Sequence, residues 1–112
     1  MAYPDLFKPY THGALTVPHR VALAPLTRNR AKDTIPGELN AEYYAQRASA
    51  AIVITEGTHP AAIGQGYLDV AGLHNDEQQA GWARVAAPLP RPASDSCLAP
   101  LDTCPAMLYS AS

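Results

Sequence analysis

A chain of 112 residues, 47% of them apolar and with a formal net charge of −2, has a globular composition and no electrostatic reason to bind nucleic acid or an anionic membrane surface. No apolar run approaches the roughly 20 residues of a membrane span, and the start Met-Ala-Tyr-Pro-Asp lacks the basic and apolar segments of a signal peptide, so a cytoplasmic location with no membrane partner is expected. Cys97 and Cys104 cannot build a disulfide framework and match no zinc spacing.

In chain order, Leu6 to Arg20 holds short apolar stretches around His12-Gly13, which predicts a small N-terminal hairpin or an extended lead-in segment. Val21-Ala22-Leu23-Ala24, stopped by Pro25, reads as a strand buried on both faces. The basic residues Arg28, Arg30 and Lys32 are followed at once by Asp33 and have no aromatic residue among them, so they read as a solvated loop rather than a phosphate or nucleic-acid site. Glu38 to Ala48 is rich in helix formers, with Leu39, Tyr43, Arg47 and Ala50 at helical spacing on one face. Ala51-Ile52-Val53-Ile54-Thr55 is the clearest strand, closed by Glu56-Gly57. A long polar connection from Thr58 to Asn75 leads to a second helix over Asp76 to Val85, which begins with acidic residues.

Strand, helix, strand, helix is the pattern of a parallel α/β architecture whose ligand-binding loops gather at the C-terminal ends of the strands. Topology alone leaves a barrel and an open sheet equally open. Composition breaks near Val85: every glycine lies at or before Gly81, whereas five of the eleven prolines and both cysteines come later. Residues 1–85 therefore read as the ordered part, and residues 86–112 as a separate Pro/Ala/Ser-rich tail without periodicity, expected to be disordered. With permitted codons, Leu101 to Met107 can also be read one base earlier as Gly-His-Val-Ser-Ser-Asp, which makes a shifted reading frame the expected origin of the tail.

Ala24-Pro25-Leu26-Thr27-Arg28-Asn29-Arg30-Ala31 resembles the first strand and loop of the old yellow enzyme family. Leu6-Phe7-Lys8-Pro9, Tyr43-Tyr44-Ala45-Gln46-Arg47-Ala48, Ile54-Thr55-Glu56-Gly57-Thr58, Gln65-Gly66-Tyr67 and Asp76-Glu77-Gln78 with Gly81-Trp82 agree with it in order and spacing. The resemblance implies a (β/α)₈ TIM barrel that holds FMN, takes hydride from NADH or NADPH and passes it to an activated alkene such as an enone. It also implies that Pro25, Leu26 and Thr27 lie along the flavin, that the Gly57 backbone approaches its pyrimidine edge, and that Tyr67 stands near the substrate mouth. Where the family continues toward a Pro-Gly pair, this chain has Ala71-Gly72. Only the first two βα units are expected here, behind the hairpin, so the barrel is incomplete; a barrel takes roughly 250 residues. The later strands of the family carry the groups that bind the substrate carbonyl and donate the proton, so no catalytic residue is expected in this chain.

Apart from that resemblance, Pro25 reads as a strand terminator, Thr27 as a loop hydroxyl and Gly57 as a turn glycine. Tyr43 and Tyr44 read as helix-to-sheet packing with one ring partly exposed. His12, His19, His59 and His74 are too far apart in sequence to suggest a metal site, and none is expected. Gly64-Gln65-Gly66 lacks the third glycine of a dinucleotide fingerprint, and no Gly-x-Ser-x-Gly elbow is present. Two further readings stand beside the flavin enzyme. One is a non-enzymatic remnant, or a piece that folds only with a complementary chain; the other is a small α/β binding module. In either fragment reading the second strand is expected to leave backbone groups unpaired.

Overall fold

The structure is a computed structural model that describes residues 3–89 and the backbone of Leu108–Ser110. A turn of 3-10 helix, Pro4–Phe7, leads into the expected hairpin, in which β1 (Tyr10–His12) pairs antiparallel with β2 (Leu15–Val17). Gly13 turns the chain between them at φ +59°, a left-handed conformation that costs glycine little. Beyond the hairpin, β3 (Ala22–Leu23) and β4 (Ile52–Ile54) run parallel, with Ala22 opposite Ile52 and Leu23 opposite Val53. The crossover between them is α1 (Glu38–Ala45). A long connection, which includes the 3-10 turn Ala62–Gly64 and a parallel bridge between His59 and Gly72, then reaches α2 (Asp76–Ala86).

The second helix starts where its sequence predicts. Asn75 caps it by accepting the backbone N–H of Gln78 at 2.9 Å, which satisfies one of the donors that a helix start leaves free. Asp76 and Glu77 in the first turn and Arg84 in the last match the helix dipole. Val53 of β4, Tyr44 of α1 and Trp82 and Val85 of α2 share one buried cluster with Ala31, Ala71 and Leu89. The Trp82 indole N–H donates to the Gly72 carbonyl at 3.1 Å, so its polar edge is paired inside the core. At Gly81 the second helix lies close against the loop that precedes α1, where a Cβ would stand 2.6 Å from the Pro36 carbonyl oxygen.

Four expectations change. The buried face of α1 is carried by Asn40 and Tyr44, while Leu39 is 66% exposed; the stripe is shifted by one residue from the Leu39/Tyr43/Arg47 face. The reason is that this helix turns polar groups inward to meet a buried carboxylate, so apolar spacing points to the wrong side. The first strand is not buried on both faces: Val21 is 42% exposed and Ala22 is exposed, because both line an open cavity between the hairpin and the strand starts. Arg28 is not solvated, since it is drawn into an ion pair with Glu56. Finally, β4 does not have an unpaired edge. β5 (Leu108–Ser110) lies antiparallel along it, giving a sheet of order β3-β4-β5. That strand lies within the tail expected to be disordered; residues 90–107, with both cysteines, and residues 111 and 112 lie outside the described residues.

Candidate functional site

Because β3 and β4 are parallel and in register, the segments that follow them leave the sheet side by side. Pro25-Leu26-Thr27 emerges from one strand and Glu56-Gly57 from the other, and Pro25, Leu26, Thr27 and Gly57 are all exposed there. Thr27 Oγ1 stands 3.9 Å from the point a Cβ on Gly57 would occupy, so the hydroxyl faces bare backbone. The connection after β4 brings Tyr67 to the same end, where its backbone carbonyl accepts the Gln65 side-chain amide at 3.1 Å and its ring is 66% exposed. Thr27, Gly57, His59 and Tyr67 thus line one cleft of about 280 Å³. Pro25 and Leu26 do not line it; they stand on the same strand end beside it.

Directly behind the cleft lies a polar cluster that the sequence reading missed. Glu56 is fully buried, and its Oε1 accepts from Arg28 Nη2 at 2.7 Å, Asn40 Nδ2 at 3.3 Å and the Tyr44 hydroxyl at 3.3 Å. The backbone N–H of Glu56 in turn donates to the Tyr44 oxygen at 2.9 Å. Burial above all, helped by the Glu56 charge, pushes the Tyr44 phenol up to about 12, which keeps its proton available to the carboxylate. The guanidinium carbon of Arg28 sits 3.4 Å from the Tyr43 ring centre, and that of Arg47 sits 3.7 Å from it. Two planar cations that close to one ring must take opposite faces, an arrangement that satisfies the ring quadrupole twice. The signal available in the sequence was a charged residue just past the apolar stretch of each strand, Arg28 after the first and Glu56 after the second.

His59 and His74, fifteen positions apart in sequence, are brought to a ring separation of 5.1 Å. Among the described residues no group of three or more histidine, cysteine or acidic side chains could hold a metal ion, and no helix is long and apolar enough to cross a membrane. A larger cavity, about 410 Å³, opens at the other end of the sheet between the hairpin and the starts of β3 and β4, lined by Val17, Val21 and Ala22 among others. Parallel α/β folds bind ligands at the C-terminal ends of their strands, which favours the smaller cleft despite its volume.

The sequence profile of the NADH:flavin oxidoreductase / NADH oxidase family matches residues 5–89. The chain belongs to that family. Among its members, 12-oxophytodienoate reductase 7 of Oryza sativa subsp. japonica is 44% identical over 81 residues, which is 71% of this chain and 21% of that protein. Chanoclavine-I aldehyde reductase fgaOx3 of Penicillium roqueforti is 42% identical over 83 residues, covering 71% of this chain and 22% of its own. Morphinone reductase, solved in complex with tetrahydroNAD, superposes with a TM-score of 0.72 at 45% identity over 76% of this chain and 23% of that one. The old yellow enzyme from Trypanosoma cruzi gives 0.74 at 31% identity, over 79% and 24%. This chain therefore spans about a fifth to a quarter of the relatives it matches.

The residues at the cleft fit part of a flavin and no more. A glycine that leaves backbone bare, a hydroxyl facing it and an exposed strand end suit the flat, polar edge of a ring system. A volume of about 280 Å³ is just under the roughly 300–1,000 Å³ of complete ligand pockets. In barrels of this kind the phosphate is commonly held by the loops after strands seven and eight.

Proposed function

We propose that this chain supplies one wall of the FMN site in an old yellow enzyme type of oxidoreductase, which moves hydride from NADH or NADPH to an activated alkene such as an enone. The observation that carries this reading is the cleft at the strand ends, where Thr27, Gly57 and Tyr67 meet although 40 positions separate the first from the last. When bound, FMN would supply the two-electron chemistry; this chain's residues bind and orient. Pro25 and Leu26 provide apolar contact along the ring, the Thr27 hydroxyl hydrogen-bonds its polar edge, and Gly57 lets backbone approach closely. Tyr67, which lines the same cleft, contacts the alkene substrate. No residue of this chain is assigned a proton-transfer role.

A second reading follows from the exposed apolar rim. Ile63 and Leu68 are 97% and 80% exposed, as residues that meet further barrel strands would be in their absence. On this reading residues 1–85 form the first two βα units of the barrel, the chain alone is inactive, and activity needs a complementary chain carrying the rest. The test is to titrate the purified chain with FMN, following flavin fluorescence, and then to measure NADH and NADPH oxidation with 2-cyclohexenone, with and without a chain supplying the later strands. Turnover is expected only with both chains. Absence of flavin binding both with and without the chain supplying the later strands would overturn the flavin assignment.

A further inference from the structure

Thr27 and Gly57 owe their mutual placement to their immediate neighbours. Arg28 follows Thr27, Glu56 precedes Gly57, and the Arg28–Glu56 ion pair at 2.7 Å is buried, with the two side chains 14% and 0% exposed. The pair is not arranged for greatest stability: Arg28 Nε and Glu56 Oε2 are buried without a hydrogen-bond partner, while Oε1 takes every donor. A buried ion pair with unsatisfied atoms often stabilises a fold no better than apolar residues of the same size. What this one does is join the segments that follow the two strands, beside the cleft residues Thr27 and Gly57. Arg28 is held from its other side by the Tyr43 ring, and Glu56 by Asn40 and Tyr44, so α1 anchors both halves.

We infer that Arg28 and Glu56 are positioning residues that set the spacing between the Thr27 hydroxyl and the Gly57 backbone, and through that spacing the grip on the flavin edge. The inference rests on the flavin reading for its consequence, though not for its geometry. Neither residue touches the cleft's ligand space; each acts through the residue beside it.

The test uses the 112-residue chain and two variants, E56Q and the double apolar replacement R28M/E56M. The direct readout is the nuclear Overhauser contact between the Thr27 methyl group and the Gly57 α-protons, which needs no flavin. Wild type should show it and E56Q should lose it. If E56Q does not fold, the double variant decides: it should keep an unfolding midpoint near wild type, lack the Thr27–Gly57 contact, and bind FMN roughly tenfold more weakly, the low end of the loss seen when groups supporting the ligands of a metal site are removed. A double variant that keeps the contact and wild-type FMN affinity overturns the inference, as does one that fails to fold, because the pair would then serve stability alone. If wild type shows the contact but takes up no FMN even with the later strands supplied, the flavin reading fails and the positioning role is judged on the contact.

Discussion

His59 is 6% exposed, with its ring 5.1 Å from that of His74. Burial first, and the neighbouring His74 second, hold its pKa below the usual 6.5. The folded state therefore prefers the neutral ring, and the associated stability is present above about pH 6.5 and is lost as pH falls through the lower folded value. His59→Leu should flatten the fall in urea midpoint between pH 7.5 and pH 5; an unchanged acid limb would show that the two rings are not coupled to folding. At this scale the sequence was partly legible. Resemblance singles out Thr27, Gly57 and Tyr67 as candidates, whereas the pairing of Arg28 with Glu56 and of His59 with His74 is not legible, since each joins segments distant in sequence.

At the scale of elements, β3, β4 and α2 could be read because their determinants are local: a β-branched run for β4, and acidic first-turn residues for α2. The orientation of α1 could not, because Asn40 and Tyr44 are buried by their partner Glu56 and not by apolarity. The contact between α1, its preceding loop and α2 makes a sharper demand. Alanine at an exposed helix glycine gains about 1 kcal/mol of helix propensity, but at Gly81 its Cβ would meet the rigid Pro36 carbonyl at 2.6 Å. Overpacking of that kind costs about 1–3 kcal/mol, so Gly81→Ala should lower stability in denaturant unfolding. A gain in stability would mean that α2 lies further from the Pro36 loop.

For the whole molecule, β5 has the clearest consequence. By pairing antiparallel with β4, Leu108–Ser110 covers a row of backbone groups that would otherwise offer a template to other chains. Deleting residues 108–112 should raise self-association in light scattering at equal protein concentration; a variant that stays monomeric would show that this edge needs no cover. The sequence by itself determined the hairpin, the strand–helix–strand–helix order and the family, since these depend on periodicity, turn chemistry and motifs read along the chain. Only the tertiary structure decided which face of α1 is buried, that the tail contributes a strand, and that Arg28 and Glu56 lock together behind Thr27 and Gly57. Those outcomes follow from pairing between segments far apart in sequence, where the gain from satisfying a buried carboxylate or a sheet edge outweighs the preferences that each segment has alone.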